Sequence, residues 1–230
     1  QFVKASVVSN AFKNSSIEET IIHTGQHFDA QMSDVFFKDL NLPQPNHHLN
    51  IHSLNHGAMT GRMMEQIETL LQQNKSDWVC VYGDTNSTLA GALVASKLNI
   101  PIMHIEAGLR SYNREMPEEI NRVVTDHLAK LLLAPTQIAV ECLKKEGIHQ
   151  GVYCVGDVMM DAVLTFHHRA KQTSHILDKY NLSPDSFYLA TIHRPSNTDN
   201  SERLSAILEN LTKLDFPVVF PVHPRALNQI

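Results

Sequence analysis

The sequence predicts an α/β fold built on parallel β-sheets. Short apolar runs of strand length recur almost from end to end, and amphipathic stretches of helix length separate them. Most of these runs are apolar throughout, as expected of strands whose two faces are both covered by helices. The predicted strands lie at 20–23, 78–82, 102–105, 131–134, 152–155, 187–192 and 218–222.

The stretches between the strands predict helices, and several helix ends carry suitable residues. Ser87 is placed to cap the N-terminus of one helix, Pro117 fits the first position of another, and Gly147 follows the end of a third. The segment 2–12 also has helical spacing, although no strand precedes it. The other helices are predicted at 31–40, 58–73, 87–98, 118–128, 137–146, 158–171 and 202–214.

The strands fall into two blocks of unequal size. The polar segment 172–186 separates five predicted strands from the last two. We predict an N-terminal domain at 1–156 and a C-terminal domain at 157–230. Two strands cannot form a sheet that buries both of its faces, so the second domain is expected to be only partly contained in this sequence.

The composition is that of an ordinary globular protein and excludes several classes. The 230 residues carry a net charge of -5 and are 43% hydrophobic, which fits neither a disordered chain nor a nonspecific nucleic-acid binder. No apolar run approaches the roughly 18 to 20 residues of a membrane span, and the N-terminus lacks signal-peptide features. Three cysteines without a C-x-x-C pair predict neither disulfides nor a zinc site. We therefore expect a cytoplasmic protein without a metal.

Polar residues follow the predicted strands directly. In parallel sheets, ligands bind at the carboxyl ends of the strands, so these positions are the candidates for a site. Three carboxylates and a His-Arg pair that meet at one sheet edge would favour acid/base chemistry on an anionic ligand. The strand-end segments are 23–27, 83–88, 106–110, 193–195 and 223–225.

Some of these residues also have a purely structural interpretation. Asp84 and Ser87 could simply cap the helix that follows them. Glu106 comes straight after an apolar strand, where a shielded carboxylate needs a partner, and Arg110 is the expected one. A structural ion pair would account for both residues.

The two adjacent acids after Pro117 are ambiguous in the same way. Glu118 and Glu119 lie in a first helical turn, where negative charge is favourable to the helix dipole without any further purpose. His193 and Arg194 would suit an anion, although a single histidine is commonly a structural one.

Nine motifs occur in order along the chain. They are QFVKA at 1–5, TGQHFD at 24–29, HGAMTGRM at 56–63, YGDTNST at 82–88, HIEAGLRS at 104–111, MPEEINR at 116–122, GDVM at 156–159, IHRP at 192–195 and PVHPR at 221–225. Together they resemble the non-hydrolysing UDP-N-acetylglucosamine 2-epimerases of the bacterial type over essentially the whole sequence.

The resemblance implies a fold and an activity. The fold is two Rossmann-like domains facing a cleft, the glycosyltransferase-B arrangement, in a homodimer. A first strand would precede Gln1, and the rest of the nucleotide-binding domain would follow Ile230. The activity is interconversion of UDP-GlcNAc and UDP-ManNAc by elimination of UDP to 2-acetamidoglucal and re-addition with inversion at C2. It implies no cofactor and no metal, and neither a nucleic acid nor a membrane as partner.

The resemblance also assigns residues. The catalytic positions are matched by Asp84, Glu106, Glu118 and His193, with Glu118 preferred over Glu119 because it follows the proline directly. Substrate-binding cations are matched by Lys4, Arg110 and Arg194. A second UDP-GlcNAc that acts as an allosteric activator would bind at positions matched by Gln26, His27, Arg62 and His223, with Arg194 shared between the two sites.

Three alternatives remain open at this point. The opening QFVKAS and the run IHRPSNTD also resemble the branch of the family that acts on UDP-2,3-diacetamido-2,3-dideoxyglucuronate. A glycosyltransferase of the same architecture would not need Asp84, Glu106 and Glu118. A noncatalytic nucleotide-sugar sensor would keep His193 and Arg194 but could lose those carboxylates.

Overall fold

The computed structural model describes residues 1–26, 37, 39–227 and 229. It divides into two compact units, Gln1–His168 and Arg169–Ile230. The predicted helix at 31–40 falls almost entirely outside the described residues. The domain boundary at Gly156 stays a prediction, and the division between the compact units lies within the helix that follows it.

The strands of the first unit confirm the predicted α/β class. β1 pairs with β2, and the other four strands form a sheet in chain order, with every pair parallel. β2 is polar and lies in a stretch where the sequence predicts no strand. The strands are β1 (Ile22–His23), β2 (His47–His48), β3 (Val79–Tyr82), β4 (Ile102–Ile105), β5 (Leu131–Ala134) and β6 (Val152–Cys154).

In the described residues, six helices accompany these strands, and most begin and end within two residues of their predicted bounds. Pro117 occupies the first turn of its helix, as predicted, and Gly147 follows a helix end with a φ of 83°. The helices are α1 (Phe2–Lys13), α2 (His56–Gln73), α3 (Asn86–Lys97), α4 (Pro117–Leu128), α5 (Gln137–Lys145) and α6 (Val158–Thr173).

The predicted cap of α3 is wrong. Thr85, not Ser87, is the N-cap residue, and its side chain accepts from the backbone N–H of Thr88. The Thr88 hydroxyl accepts in return from the N–H of Thr85, which completes a capping box. Ser87 is thereby left to bond elsewhere, and Asp84 stands just before the cap.

The core of the first unit lies between helices and sheet. Met63 of α2 is fully buried and packs with Ile67, Ala90 and Val94 in one apolar cluster. Burying such a side chain contributes about 1.5–3 kcal/mol. The packing of α2 and α3 fixes the N-terminal end of α3 above the carboxyl ends of the strands.

The second unit contains one pair of parallel strands, in which Tyr188 pairs with Val218. In the described part of this unit, each strand pairs only with the other. The two predicted strands are confirmed but are shorter than predicted. The elements are α7 (Ile176–Lys179), β7 (Tyr188–Leu189), α8 (Pro195–Thr198), α9 (Ser201–Leu211), β8 (Val218–Val219) and α10 (Pro224–Leu227).

Across the residues that the structure describes, no helix is both long and apolar enough to cross a membrane.

Candidate active site

Asp84 and Glu106 leave neighbouring strands at the same edge of the sheet. Tyr82 at the end of β3 is in register with Ile105 at the end of β4. The N–H of Gly83 donates to the carbonyl of Ile105 at 3.0 Å, which continues the pairing into the turn. The structure therefore brings these two predicted catalytic carboxylates to adjoining turns.

Glu106 is held in an unusual backbone conformation. Its φ is 78°, a left-handed value that costs a residue with a side chain about 1–3 kcal/mol and is commonly found at functional sites. Its carboxylate forms an ion pair with Lys4 of α1, and both side chains are largely buried. The predicted pairing of Glu106 with Arg110 is wrong, because Lys4 takes that place.

A cavity of about 210 Å³ adjoins Glu106. Its walls come from α1, from β4 and β5 and from the chain after β6, and they include Phe12, Met103 and Leu133. Charges act more strongly in such mostly apolar surroundings than in water. The Glu106 carboxylate thus borders a cavity whose walls also include Asp157 and Asp161.

Asp84 has its own cation. Arg122 of α4 forms an ion pair with the Asp84 carboxylate, and the side-chain amide of Asn121 donates to the Asp84 carbonyl at 2.9 Å. Because Thr85 caps α3, the structural interpretation of Asp84 as a helix cap is wrong. Both carboxylates at this sheet edge are therefore matched with a basic side chain.

The adjacent acids of α4 differ in what they contact. Glu119 is buried and accepts from the N–H and hydroxyl of Ser111 and from the N–H of Tyr112, at 2.8–2.9 Å. Burial by itself acts to raise the pKa of Glu119, but these hydrogen bonds and the charge of Arg122 outweigh it and lower the pKa. Glu119 is thus a structural carboxylate that anchors a loop.

Glu118, by contrast, is exposed. It lies one helical turn before Arg122, and side chains four residues apart share a face of a helix. Arg122 contacts Asp84 and also Glu119, the latter at 3.2 Å. The choice of Glu118 over Glu119 therefore stays a prediction, and the exposure of Glu118 agrees with it.

Arg110 lies in a buried ionic cluster. Its guanidinium donates to both oxygens of Glu146 and to Asp126, each at 2.7 Å, and its side chain is 1% exposed. Burial acts to lower the pKa of Arg110, but the hydrogen bonds and charges of Glu146 and Asp126 outweigh it and raise the pKa. Asp126 also contacts His104, at 2.7 Å. The structure thus places Arg110 among structural partners.

The second unit carries the other predicted catalytic residue. His193 and Arg194 are exposed and follow β7, and His223 follows β8. The rings of His193 and His223 lie 6.3 Å apart. Because β7 and β8 are parallel, these groups share one edge of their sheet, as expected of residues that follow the carboxyl ends of parallel strands.

Of the predicted activator residues, Gln26 and Arg62 lie in the first unit and His223 lies in the second. The side-chain oxygen of Gln26 accepts from the N–H and the hydroxyl of Ser87, at 3.2 and 3.0 Å, so Gln26 adjoins the start of α3. Arg62 is exposed on α2. His27 lies outside the described residues.

Sequence reasoning missed four residues that organise this edge: Asn121, Arg122, His104 and Asp126. Arg122 could have been found from its spacing of four from Glu118 on a predicted helix. His104 could have been found as a histidine inside an otherwise apolar strand, since a buried polar side chain requires a partner. Among the described residues, no group of three or more His, Cys, Asp or Glu side chains is arranged to hold a metal.

Comparison with known proteins identifies relatives. A family profile described as UDP-N-acetylglucosamine 2-epimerase matches residues 10–230. A Pseudomonas aeruginosa relative named UDP-2,3-diacetamido-2,3-dideoxy-D-glucuronate 2-epimerase is 51% identical over 98% of this chain. A Methanococcus maripaludis relative named UDP-N-acetylglucosamine 2-epimerase homolog is 50% identical over 98% of this chain.

A solved structure is similar as well. The crystal structure of Methanocaldococcus jannaschii UDP-GlcNAc 2-epimerase, in complex with UDP-GlcNAc and UDP, matches 100% of this chain and 65% of that one, at 44% identity and a TM-score of 0.91. The chain spans 64% and 63% of the lengths of the two relatives above. Because the profile match covers nearly all of its residues, the chain belongs to the UDP-N-acetylglucosamine 2-epimerase family.

Proposed function

We propose that the protein is a non-hydrolysing UDP-sugar 2-epimerase, an isomerase. The observation that carries the proposal is the pair of carboxylates on adjoining turns, Asp84 with Arg122 and Glu106 with Lys4. Glu118 supplies a third acid on the helix face that includes Arg122. A glycosyltransferase or a nucleotide-sugar sensor would have no need of this set.

The reaction requires acids and bases on both faces of a sugar ring. A base takes the proton from C2 while the bond from C1 to the UDP oxygen breaks, and the electron pair of the C2–H bond forms the C1–C2 double bond of 2-acetamidoglucal. UDP then adds back to C1 as a proton is delivered to the opposite face of C2. Positioned acids and bases contribute about 10² to 10⁴-fold each. We assign these transfers to Asp84, Glu106 and Glu118.

Departure of UDP builds negative charge on a diphosphate. Preorganised cations stabilise such charge best. We assign this contact to Lys4, Arg194 and His193. We leave Arg110 out because its side chain is only 1% exposed and its guanidinium donates to both oxygens of Glu146 and to Asp126. The second unit is expected to belong to a C-terminal Rossmann-like domain, which would face the N-terminal domain across a cleft. The protein is also expected to be a homodimer. Gln26, Arg62, His223 and His27 are proposed for a second UDP-GlcNAc.

The first candidate substrate is UDP-GlcNAc, converted to UDP-ManNAc. The second is UDP-2,3-diacetamido-2,3-dideoxyglucuronate, and it is favoured by the 51% identical relative of that name. The two sugars differ at C3 and C6, so a comparison of their kcat/KM values separates them.

The experiment incubates the full-length protein with each nucleotide sugar and follows the C2 epimer by NMR. We expect epimerisation of one sugar without any acceptor. Asp84→Asn, Glu106→Gln and Glu118→Gln are expected to lower kcat by about 10² to 10⁴-fold. Glu115→Gln, a change of an exposed acid just before α4, is the matched control and should leave kcat unchanged. Sugar transfer that requires an acceptor, or binding without turnover, would rule the proposal out.

A further inference from the structure

His104 connects α4 to the turn that precedes Asp84. The histidine is the third residue of β4 and is completely buried. Its Nδ1 lies 2.7 Å from the Asp126 carboxylate, and its Nε2 lies 2.8 Å from the carbonyl oxygen of Gly83. A carbonyl oxygen can only accept, so Nε2 donates to Gly83.

Asp126 connects the same helix to the turn that follows Glu106. The Asp126 oxygen that His104 does not contact accepts from the N–H of Gly108 at 3.1 Å and from Arg110 at 2.7 Å. The other oxygen of the same carboxylate lies 2.7 Å from Nδ1 of His104. One buried carboxylate therefore bonds to both turns, directly on one side and through the histidine on the other.

We propose that the His104–Asp126 pair positions the two carboxylates for catalysis, as a rigid link between the turn of Asp84 and the turn of Glu106. Gly83 is the residue before Asp84, and Gly108 follows Glu106 by two. The inference rests on the proposed epimerase function. Both side chains are completely buried, so we treat them as positioning residues.

Two features make this link matter for rate. The left-handed backbone of Glu106 persists only where its surroundings determine it, and the bond from Gly108 to Asp126 is part of those surroundings. A misplacement of about 1 Å of a reacting group can lower a rate by about 100-fold, even when the change lies away from the chemistry. Loss of the link is therefore expected to lower kcat more than substrate affinity.

A pair of substitutions separates positioning from plain stability. In His104→Gln the side-chain amide reaches as far as Nε2 and keeps a donor for the Gly83 carbonyl. In His104→Asn the amide reaches only as far as Nδ1, so it keeps a donor for Asp126 and loses Gly83. Thr125→Val is the matched control, because Thr125 precedes Asp126 on α4, is equally buried and bonds only within its own helix.

The test measures kcat, KM and the melting temperature of the full-length wild type and of these variants. We expect His104→Asn and His104→Gln each to lower kcat by about 100-fold, because each variant keeps only one end of the link, with KM within about threefold of wild type in both. Thr125→Val should lower the melting temperature and leave kcat near wild type.

A kcat near wild type in either His104 variant, or an equal loss of kcat in Thr125→Val, would overturn the inference. If His104→Asn does not fold, the kcat of His104→Gln is compared with the kcat of Thr125→Val. Equal kcat values in these two variants would overturn the inference. A wild type that epimerises no UDP-sugar would instead refute the proposed function.

Discussion

Replacement of Arg110 by methionine separates a structural role from substrate binding. Methionine keeps an unbranched apolar stem but removes three charged hydrogen bonds to Glu146 and Asp126, each of 2.7 Å. Removal of one partner of a buried ion pair costs about 3–5 kcal/mol. In the variant, Asp126 keeps its contacts with His104 and Gly108, and Glu146 is partly exposed. We therefore expect a loss of unfolding free energy at the lower end of this range, about 3 kcal/mol.

The assay is urea unfolding of the full-length protein, with stability taken from the midpoint at constant m-value. Arg203→Met is the matched control, because Arg203 is exposed and its side chain donates to a backbone carbonyl at 3.2 Å. Its unfolding free energy should change by no more than about 0.5 kcal/mol. KM of the folded Arg110 variant should stay within about threefold of wild type.

A role of Arg110 in substrate binding predicts the opposite pattern. If Arg110 bound the diphosphate, Arg110→Met would raise KM by tenfold or more, on the order of 1.4 kcal/mol of binding, and leave the urea midpoint in place. A loss of unfolding free energy below about 1 kcal/mol in Arg110→Met would show that the carboxylates of Asp126 and Glu146 do not need the guanidinium as a partner.

Three further predictions concern stability and reactivity. The pKa of Glu119 in the folded protein lies below its ordinary 4.5, so Glu119→Gln should lower the free energy of unfolding at neutral pH. The difference in unfolding free energy between the variant and wild type should vanish as the pH falls through that folded pKa. Gly108→Ala should destabilise more than Gly147→Ala. Both have φ 83°, but an added Cβ at Gly108 would lie 2.4 Å from a backbone carbonyl oxygen, and at Gly147 it would meet nothing within 4 Å. Iodoacetamide should label exposed Cys154 before Cys80, because burial raises the pKa of the Cys80 thiol to about 12.

The checks on these predictions are direct. Urea unfolding of Glu119→Gln and wild type from neutral to acidic pH gives the pH dependence, and a constant difference would contradict it. Equal unfolding free energies for the two glycine variants would show that the backbone at Gly108 moves away at no cost. Peptide mass spectrometry after labelling reports the order of the two thiols, and faster labelling of Cys80 would contradict the prediction.

Much of the fold could be predicted because it depends on local patterns. Apolar runs and helical spacing located the strands of the first unit and the helices between them, and the parallel-sheet rule located Asp84 and Glu106 at one edge. β2 was missed because its two histidines carry no apolar signal. Thr85 and Ser87 are both good caps, and only backbone geometry decides between them.

The ion-pair partners of Glu106 and Arg110 could not be predicted, because they come from distant parts of the chain. Arg110 is near Glu106 in sequence, yet Glu106 pairs with Lys4 from α1. Arg110 bonds instead with Glu146, 36 residues away. Local spacing carries no information on such pairs, which depend on how the helices pack on the sheet. The choice of Glu118 over Glu119 was possible from the motif alone and agrees with the burial of Glu119.

We propose that the carboxylates at this sheet edge exchange the proton at C2 of a UDP-sugar. The most direct test incubates the full-length protein with UDP-GlcNAc, and separately with UDP-2,3-diacetamido-2,3-dideoxyglucuronate, in deuterated water and follows C2 by NMR. We predict that solvent deuterium enters C2 of one sugar and that Asp84→Asn and Glu106→Gln slow this entry by about 100-fold or more. Epimerisation without deuterium at C2, or an unchanged rate of deuterium entry in both variants, would show that these carboxylates do not exchange the C2 proton.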